Sequence, residues 1–500
     1  RPQHDALVDL IVRDLLAERD HLVDLVGGEV RLDRLGRDLQ KVGQFLEHRR
    51  IGHLDTERAD DLLLAPRPGE VVVPRPLPRP DVGEGQPAVQ MVLPRREREA
   101  VCAIKPVVGR IVDPLRVVDI DATDKMVVPG LIDIHVHLRE PGREDEETVE
   151  SGCRAAAAGG FTSICCMPNT TPRIDNQETV KFVQDRAKNA CARVYVVGAI
   201  TKNIAGEELS EIGDLVKMGA VAITDDGHYV QNPEIMRRAL EYSRMFDIPV
   251  MQHAEDQFLV AGGVMNESFE STRLGLKGAP AVAEEIAVLR DIALCRITGA
   301  RLHIQHLTCK EAVQAIRKAK ADGVNITCEV TPHHLVLNDL EIGKSFNTNL
   351  RVNPPIRTEE DRLALIEGLV DGTIDCIASD HAPHSAEEKD AEFDKAPSGM
   401  IGLETSLALI KTHIIDKGYL DWADAIRKMT VNPARILNLP GGTLEIGMPA
   451  DITIIDPEKK WTVKESLFQS KSTNSPFIGW KVSSKVWKTV LGGTIVFEAD

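Results

Sequence analysis

The sequence predicts an α/β fold built on a (β/α)8 barrel. Three observations carry that expectation. Eight short apolar runs follow one another at Leu131–Val136, Phe161–Met167, Arg193–Ile200, Ala220–Thr224, Ile248–Gln252, Arg301–Gln305, Val324–Val330 and Asp375–Ala378, each short and apolar enough for a buried strand. Helical patterns separate them, among them Glu147–Ala158, Ala283–Leu294 and Lys310–Lys320. Nearly every run ends in polar residues, and in such barrels the active site is built at the strands' C-terminal ends.

Residues 1–100 are foreign to this pattern. Arg, Leu, Asp and Val dominate there, and Lys41 is the only lysine. Leu7–Leu25 fits an amphipathic helix, whereas Val73–Pro80 is interrupted by proline at every second residue and cannot sustain regular structure. The stretch carries no chemical motif. It is expected to be a poorly ordered extension, or the product of a wrongly assigned reading frame. Residues 101–128 lead into the barrel, which is expected to span 129–435. Within it, Asn232-Pro233-Glu234 places an N-cap residue, a proline and an acid as a helix start should. The Ala/Gly-rich Ala155–Gly160 is expected to be a site of close helix–strand packing. Beyond the barrel, Met429–Ala434 reads as a helix start, and Pro449–Pro457 and Trp487–Phe497 as strands of a separate C-terminal part, 436–500.

Composition narrows the function. A formal net charge of −17 argues against a nucleic-acid or anionic-membrane surface, and an acidic protein that takes an anionic substrate needs a local cationic pocket. No apolar run approaches the roughly 20 residues of a membrane span, and no basic-then-apolar leader pattern is present. All nine Cys lie beyond residue 100, irregularly spaced and mostly inside apolar segments. They read as buried free thiols of a reducing compartment, with the cytoplasm as the default.

The chemistry concentrates at strand ends. The first strand runs Asp133-Ile134-His135-Val136-His137-Leu138-Arg139, and period-2 alternation puts Asp133, His135, His137 and Arg139 on one side. Two neutral imidazoles so close suit zinc, iron or nickel. The fourth strand ends in Asp225-Asp226-Gly227, the fifth in His253-Ala254-Glu255-Asp256, the sixth in His303-Ile304-Gln305-His306, and the eighth in Asp380-His381 with His384 beyond. Singly each is weak: a strand-end His is more often structural, and a lone Asp before Gly is a turn residue. Together, four His and two Asp at one end of a barrel can hold two divalent ions bridged by a carboxylate.

The string His135-Val136-His137-Leu138-Arg139-Glu140-Pro141-Gly142 resembles the class I dihydroorotases of the amidohydrolase superfamily, and the likeness covers about residues 117–500. The resemblance implies the barrel together with a small β-sandwich formed by its flanking segments. It implies two zinc ions per subunit, one site filling less readily than the other. His135, His137 and Asp380 would hold one ion, His253 and His306 the other, and Asp226 would bridge them. Hydantoinases and allantoinases typically bridge with a carbamylated lysine, and this strand offers none. His303 is expected to orient another group, and His333-His334 to support the ligands without ligating. By the same resemblance Arg139, Asn169 and His384 take the carboxylate of dihydroorotate. Asn353 and the backbone near Ser398 and Gly399 take its ring, although the family often has an aromatic or apolar residue in place of Ser398. The charged segment Ser385–Pro397 is expected to be a mobile loop over the substrate. The implied reaction is the reversible opening of the cyclic amide to N-carbamoyl-aspartate in pyrimidine synthesis, with Asp380 moving the proton. A homodimer and association with aspartate carbamoyltransferase are the implied partnerships. The alternatives are another cyclic amidase, acting on hydantoins, dihydropyrimidines or allantoin, or an inactive scaffold for aspartate carbamoyltransferase.

Overall fold

Short apolar strands alternating with amphipathic helices bury both sheet faces only where helices cover the outside. The computed structural model of the chain describes residues 109–113 and 116–499. The expectations for residues 1–100, the Leu7–Leu25 helix included, lie outside the described residues. Among the described residues three strands precede the barrel: β1 (Gly109–Asp113), β2 (Arg116–Ile120) and β3 (Met126–Pro129). The barrel strands are β4 (Leu131–Val136), β5 (Phe161–Cys166), β6 (Arg193–Gly198), β7 (Ala220–Ile223), β8 (Val250–Gln252), β11 (Leu302–Ile304), β12 (Ile326–Val330) and β13 (Cys376–Ile377). Between β8 and β11 lies a separate pair, β9 (Met265–Asn266) and β10 (Gly278–Ala279). The eight barrel strands form one sheet in chain order, every pairing parallel. Closure comes from a parallel bridge between Val136 and His381, where the His137 N–H donates to His381 O at 2.9 Å. The predicted barrel is therefore the observed one, with strand limits trimmed by a residue or two.

The helices begin where their caps dictate. Thr148 and Ser151 form a reciprocal capping box ahead of Val149–Ala158, and Asn232 caps Pro233–Ser243. Ile132, Ile134, Cys165, Met167, Val197, Ala222 and Met251 form an interior cluster, joined by Ala434 and Ile436 from the helix Val431–Ile436. The larger cluster, with Leu131, Phe161, Ile164 and Leu302, packs the strands' outer side against the helices.

Period-2 alternation fails at one place that matters. The β4–β5 register shifts between Asp133 and Val136. Asp133 consequently turns to backbone, accepting from His135 N at 3.1 Å and Ser379 N at 3.0 Å. It ties the first strand to the last and does not join the histidines' chemistry.

The C-terminal part is a four-stranded antiparallel sheet of β3, β14 (Ile452–Thr462), β15 (Lys481–Leu491) and β16 (Thr494–Glu498). The single strand expected over Trp487–Phe497 is a hairpin. Gly492 and Gly493 both adopt positive φ, 56° and 86°, the conformation a two-residue hairpin turn requires. This sheet is pinned to the barrel through Thr453 Oγ1, which donates to Gly160 O at 2.6 Å, and Thr489 Oγ1, which donates to Ala157 O at 2.7 Å. Ala155–Gly160 is thus a packing element, as its small residues suggested. At Gly160, with φ 87°, a Cβ would lie 2.7 Å from Thr453 Cγ2 and 3.0 Å from Val486 Cγ2.

Gly160→Val should therefore lower stability by about 2–4 kcal/mol, combining left-handed strain with overpacking. Gly206→Ala, equally left-handed but with nothing within 4 Å, should cost about 1 kcal/mol. Urea midpoints of the two variants check the difference.

Candidate active site

Three strand ends deliver four imidazoles to one carboxylate. Asp226, just past β7, is almost fully buried. His135 Nε2 lies 3.3 Å from Asp226 Oδ1, and His137 Nε2 3.3 Å from Oδ2. His306 Nε2 and His253 Nδ1 stand 3.6 and 3.8 Å from Oδ1. Asp380 Oδ1 approaches His137 Nε2 at 3.2 Å and His135 Nε2 at 3.5 Å. The six residues expected to ligate metal are thus brought together. They contain two overlapping groups with metal-ligand spacing, His135–His137–Asp226 and Asp226–His253–His306, which share Asp226.

The donor set fits divalent metal on three grounds. His135 Nε2 and Asp226 Oδ1 are buried polar atoms without a hydrogen-bond partner, which protein interiors rarely leave so. Imidazole and carboxylate suit a borderline ion such as zinc. The site also carries negative charge in want of a cation. Burial disfavours a charged His135, yet Asp226, Glu329 and Asp380 outweigh it and push its pKa well above the imidazole range. Burial likewise opposes ionisation of Asp226, but His135, His306 and His137 hold it well below the usual carboxylate range.

The other ring nitrogens are held by residues the sequence singled out for other work, or not at all. Asn169 Oδ1 accepts from His137 Nδ1 at 2.9 Å. Asn353 Nδ2 lies 3.1 Å from His253 Nε2 and donates to Glu255 Oε2 at 3.2 Å. His135 Nδ1 meets Glu329 Oε1 at 2.5 Å, and the same oxygen accepts from His306 N at 3.3 Å. The other oxygen of Glu329 meets His303 Nε2 at 3.1 Å, and His303 Nδ1 reaches Thr327 Oγ1 at 2.9 Å. His303 thus orients another group. Glu329 was missed, although a lone acid inside the apolar strand Ile326–Val330 was a signal for it. His334 is tied at both nitrogens, to Thr331 Oγ1 and Pro354 O. His333 is buried, with Nε2 unpartnered, and burial pulls its pKa down to about 4.

A cationic rim adjoins the cluster. Arg139 Nε donates to Pro383 O at 3.0 Å and pairs with Glu146 Oε2 at 3.2 Å, while Nη2 lies 3.3 Å from His384 Nε2. Glu146 is one acid in a charge-rich run that sequence alone cannot rank. Glu146 also accepts from His384 Nδ1 at 2.8 Å. His384 Nε2 touches Ser398 O at 2.9 Å. Gly399 has φ 139°, and a Cβ there would lie 3.1 Å from His384 Nε2. Over Ser385–Pro397, a short helix Ala386–Lys389 forms, and Lys389 Nζ donates to Thr348 O at 3.1 Å and Pro397 O at 2.7 Å. Arg139, His306 and Asp380 all have positive φ, 61°, 28° and 48°. That conformation costs on the order of 1 kcal/mol or more per residue and clusters at functional sites.

A closed parallel barrel with His and Asp clusters at its C-terminal mouth defines the class: a metal-dependent amidohydrolase. The comparisons narrow it. A Dihydro-orotase-like family model matches residues 124–312, and an Amidohydrolase family model matches 399–497. A dihydroorotase of Syntrophotalea carbinolica is 52% identical over 76% of this chain and 89% of its own length. One of Acetivibrio thermocellus is 52% identical over 75% and 88%. Among solved structures, L-hydantoinase from Arthrobacter aurescens superposes with a TM-score of 0.69 at 27% identity, covering 76% of this chain and 87% of its own. The chain belongs to the dihydroorotase family of amidohydrolases.

Glu329→Gln should loosen the hold on His135 and lower divalent-metal affinity by about 10–100-fold. Metal content after dialysis, with circular dichroism as the folding control, measures it. Unchanged retention would remove Glu329 from that role.

Proposed function

We propose that the chain catalyses the reversible hydrolysis of dihydroorotate to N-carbamoyl-aspartate. The observation that carries this reading is the combination, at one barrel mouth, of a carboxylate-centred imidazole cluster and an adjoining Arg139–His384 pair. Two zinc ions per subunit suit the paired groups, with His135, His137 and Asp380 on one, His253 and His306 on the other, and Asp226 between. Bound there, the metal supplies Lewis acidity, polarising the amide carbonyl and easing ionisation of water.

The protein's own groups do the rest. Asp380, against His135 and His137, accepts the proton of the attacking water and returns it to the leaving ring nitrogen. Among the described residues Arg139 Nη1 makes no hydrogen bond, and this end of the fork suits a substrate carboxylate. His384 completes the grip, and Glu146 fixes both Arg139 and His384 at the rim. Asn169 and Asn353 contribute by holding His137 and His253, besides contacting substrate. Ser398 and Gly399 offer backbone to the ring, and the tight space at Gly399 supports a close approach. A place in the cytoplasm is supported by the eight described cysteines, all free; no helix among the described residues is long and apolar enough to cross a membrane. A homodimer and a complex with aspartate carbamoyltransferase belong to the same reading. The hydantoinase likeness favours a second one, ring opening of neutral cyclic amides, but such substrates bring no carboxylate for the outer end of the Arg139 fork.

Absorbance loss of dihydroorotate, with and without added zinc, tests the assignment directly; a preference for dihydrouracil would overturn it. Arg139→Met should lower kcat/KM for dihydroorotate about tenfold to a hundredfold, the value of a charge-assisted bidentate contact, and leave any dihydrouracil turnover nearly unchanged. Equal losses would show that Arg139 serves the fold.

Asp380→Asn should reduce kcat on the order of a hundredfold or more with a smaller effect on KM. A change confined to KM would take Asp380 out of proton transfer. Asp226→Ala should abolish both turnover and metal retention.

A further inference from the structure

Residues 469–474 lie between β14 and β15 and contain neither helix nor strand, yet their hydrogen bonds run to the barrel mouth. Gln469 N and Ser470 N donate to Glu404 at 2.9 and 3.1 Å. Lys471 N donates to Glu147 Oε1 at 3.1 Å, and Ser470 Oγ donates to Glu147 Oε2. Ser472 Oγ donates to Glu146 O at 2.7 Å. The segment is thereby fixed before it reaches Asn474, which is buried at 6% exposure. The Asn474 amide commits its whole capacity to main chain at the mouth. Its Oδ1 accepts from His384 N at 3.1 Å, and its Nδ2 donates to Ala382 O at 3.1 Å and to Gly399 O at 3.2 Å, all three contacts buried. These partners decide how the amide points, since the one N–H needs its oxygen and the two carbonyls need its NH2. Two stretches of chain meet there, one just after β13 and one at Gly399. They approach so closely that a Cβ on Gly399 would lie 2.8 Å from Ala382 Cβ and 3.1 Å from His384 Nε2.

We propose that Asn474 is a positioning residue for substrate: its amide sets the spacing of His384 and Gly399, and through them the register between the carboxylate grip and the ring contact. This rests on the dihydroorotate reading above, in which those two residues meet different ends of one cyclic ligand. A ring tolerates little error in that spacing, because a displaced partner loses its hydrogen bond and leaves a polar group unpaired. The hydrogen bonds of Asn474 reach none of the six clustered His and Asp residues, so its effect falls on binding and not on the chemical step. The residue type follows from the partners. A carboxylate in its place offers no donor to the two carbonyls, and a methyl group leaves all three buried main-chain groups unpaired. The connection between two strands of the C-terminal sheet thus shapes a pocket built by the barrel.

Steady-state kinetics of the metal-loaded full chain with dihydroorotate test it. Asn474→Ala should raise KM about tenfold and change kcat by less than about threefold, with metal content and circular dichroism unchanged. Asn474→Asp, of the same shape and keeping the bond to His384 N, should raise KM by a smaller factor; it carries the test if the alanine variant does not fold. Added to His384→Ala, Asn474→Ala should raise KM by less than about threefold more, because the two act on one grip. Thr489→Ala, which removes a pin between the C-terminal sheet and the barrel, should lower the thermal midpoint and leave KM unchanged, as a purely structural lesion does. KM unchanged in the Asn474 variants, a loss confined to kcat, or a full multiplicative loss in the double variant would overturn the proposal. A wild type inert toward dihydroorotate would sink the parent reading and this one with it, whereas an active wild type with indifferent Asn474 variants would sink this one alone.

Discussion

The carboxylate of Asp226 is the group on which the barrel's mouth depends. Four imidazoles from the ends of three strands converge on it, all buried. Burial alone would neutralise such a cluster, because isolated charge is costly in a low dielectric. Ionised Asp226 survives because the histidines favour its charge. They in turn need carboxylates, and the remaining excess calls for a cation. The strand order places β4, β7, β8 and β11 so that their ends meet, which no local segment could achieve.

Around that centre, precision comes from groups that never face the reacting atoms. Glu329, Asn169 and Asn353 each occupy the ring nitrogen that a histidine turns away from the cluster. Each bond fixes a ring's rotation and favours one tautomer, and such supports govern metal affinity as much as the ligands do. Asp133 performs the corresponding task for backbone, locking the first strand to Ser379 at the last. Left-handed backbone at His306 and Asp380 stores strain that this network pays for.

The rim solves a different problem. An acidic chain must hold an anion near metal without letting the anion sit on the metal. Arg139 lies two residues beyond His137, and Glu146 balances it from the side. Burial lowers the Arg139 pKa from its ordinary value, and Glu146 and Asp380 oppose that shift. The Nε side of the guanidinium is thereby fixed by protein.

Much of this was legible in the chain. Eight apolar runs fixed the barrel because burial on both faces leaves a parallel sheet few alternatives, and strand-end His and Asp residues marked the mouth because only function puts titratable groups there repeatedly. Gly492-Gly493 was a readable hairpin signal that the alternation on either side concealed. Tertiary structure alone decided the rest. The slip in β4 turned Asp133 away from the face that strict alternation assigned it. Glu146, out of a charge-rich run, was matched to Arg139, and Glu329 to His135 from 194 residues away. Sequence records which side chains exist and their local period. Which nitrogen meets which oxygen depends on strand register and barrel closure, and these are set by packing across the whole molecule.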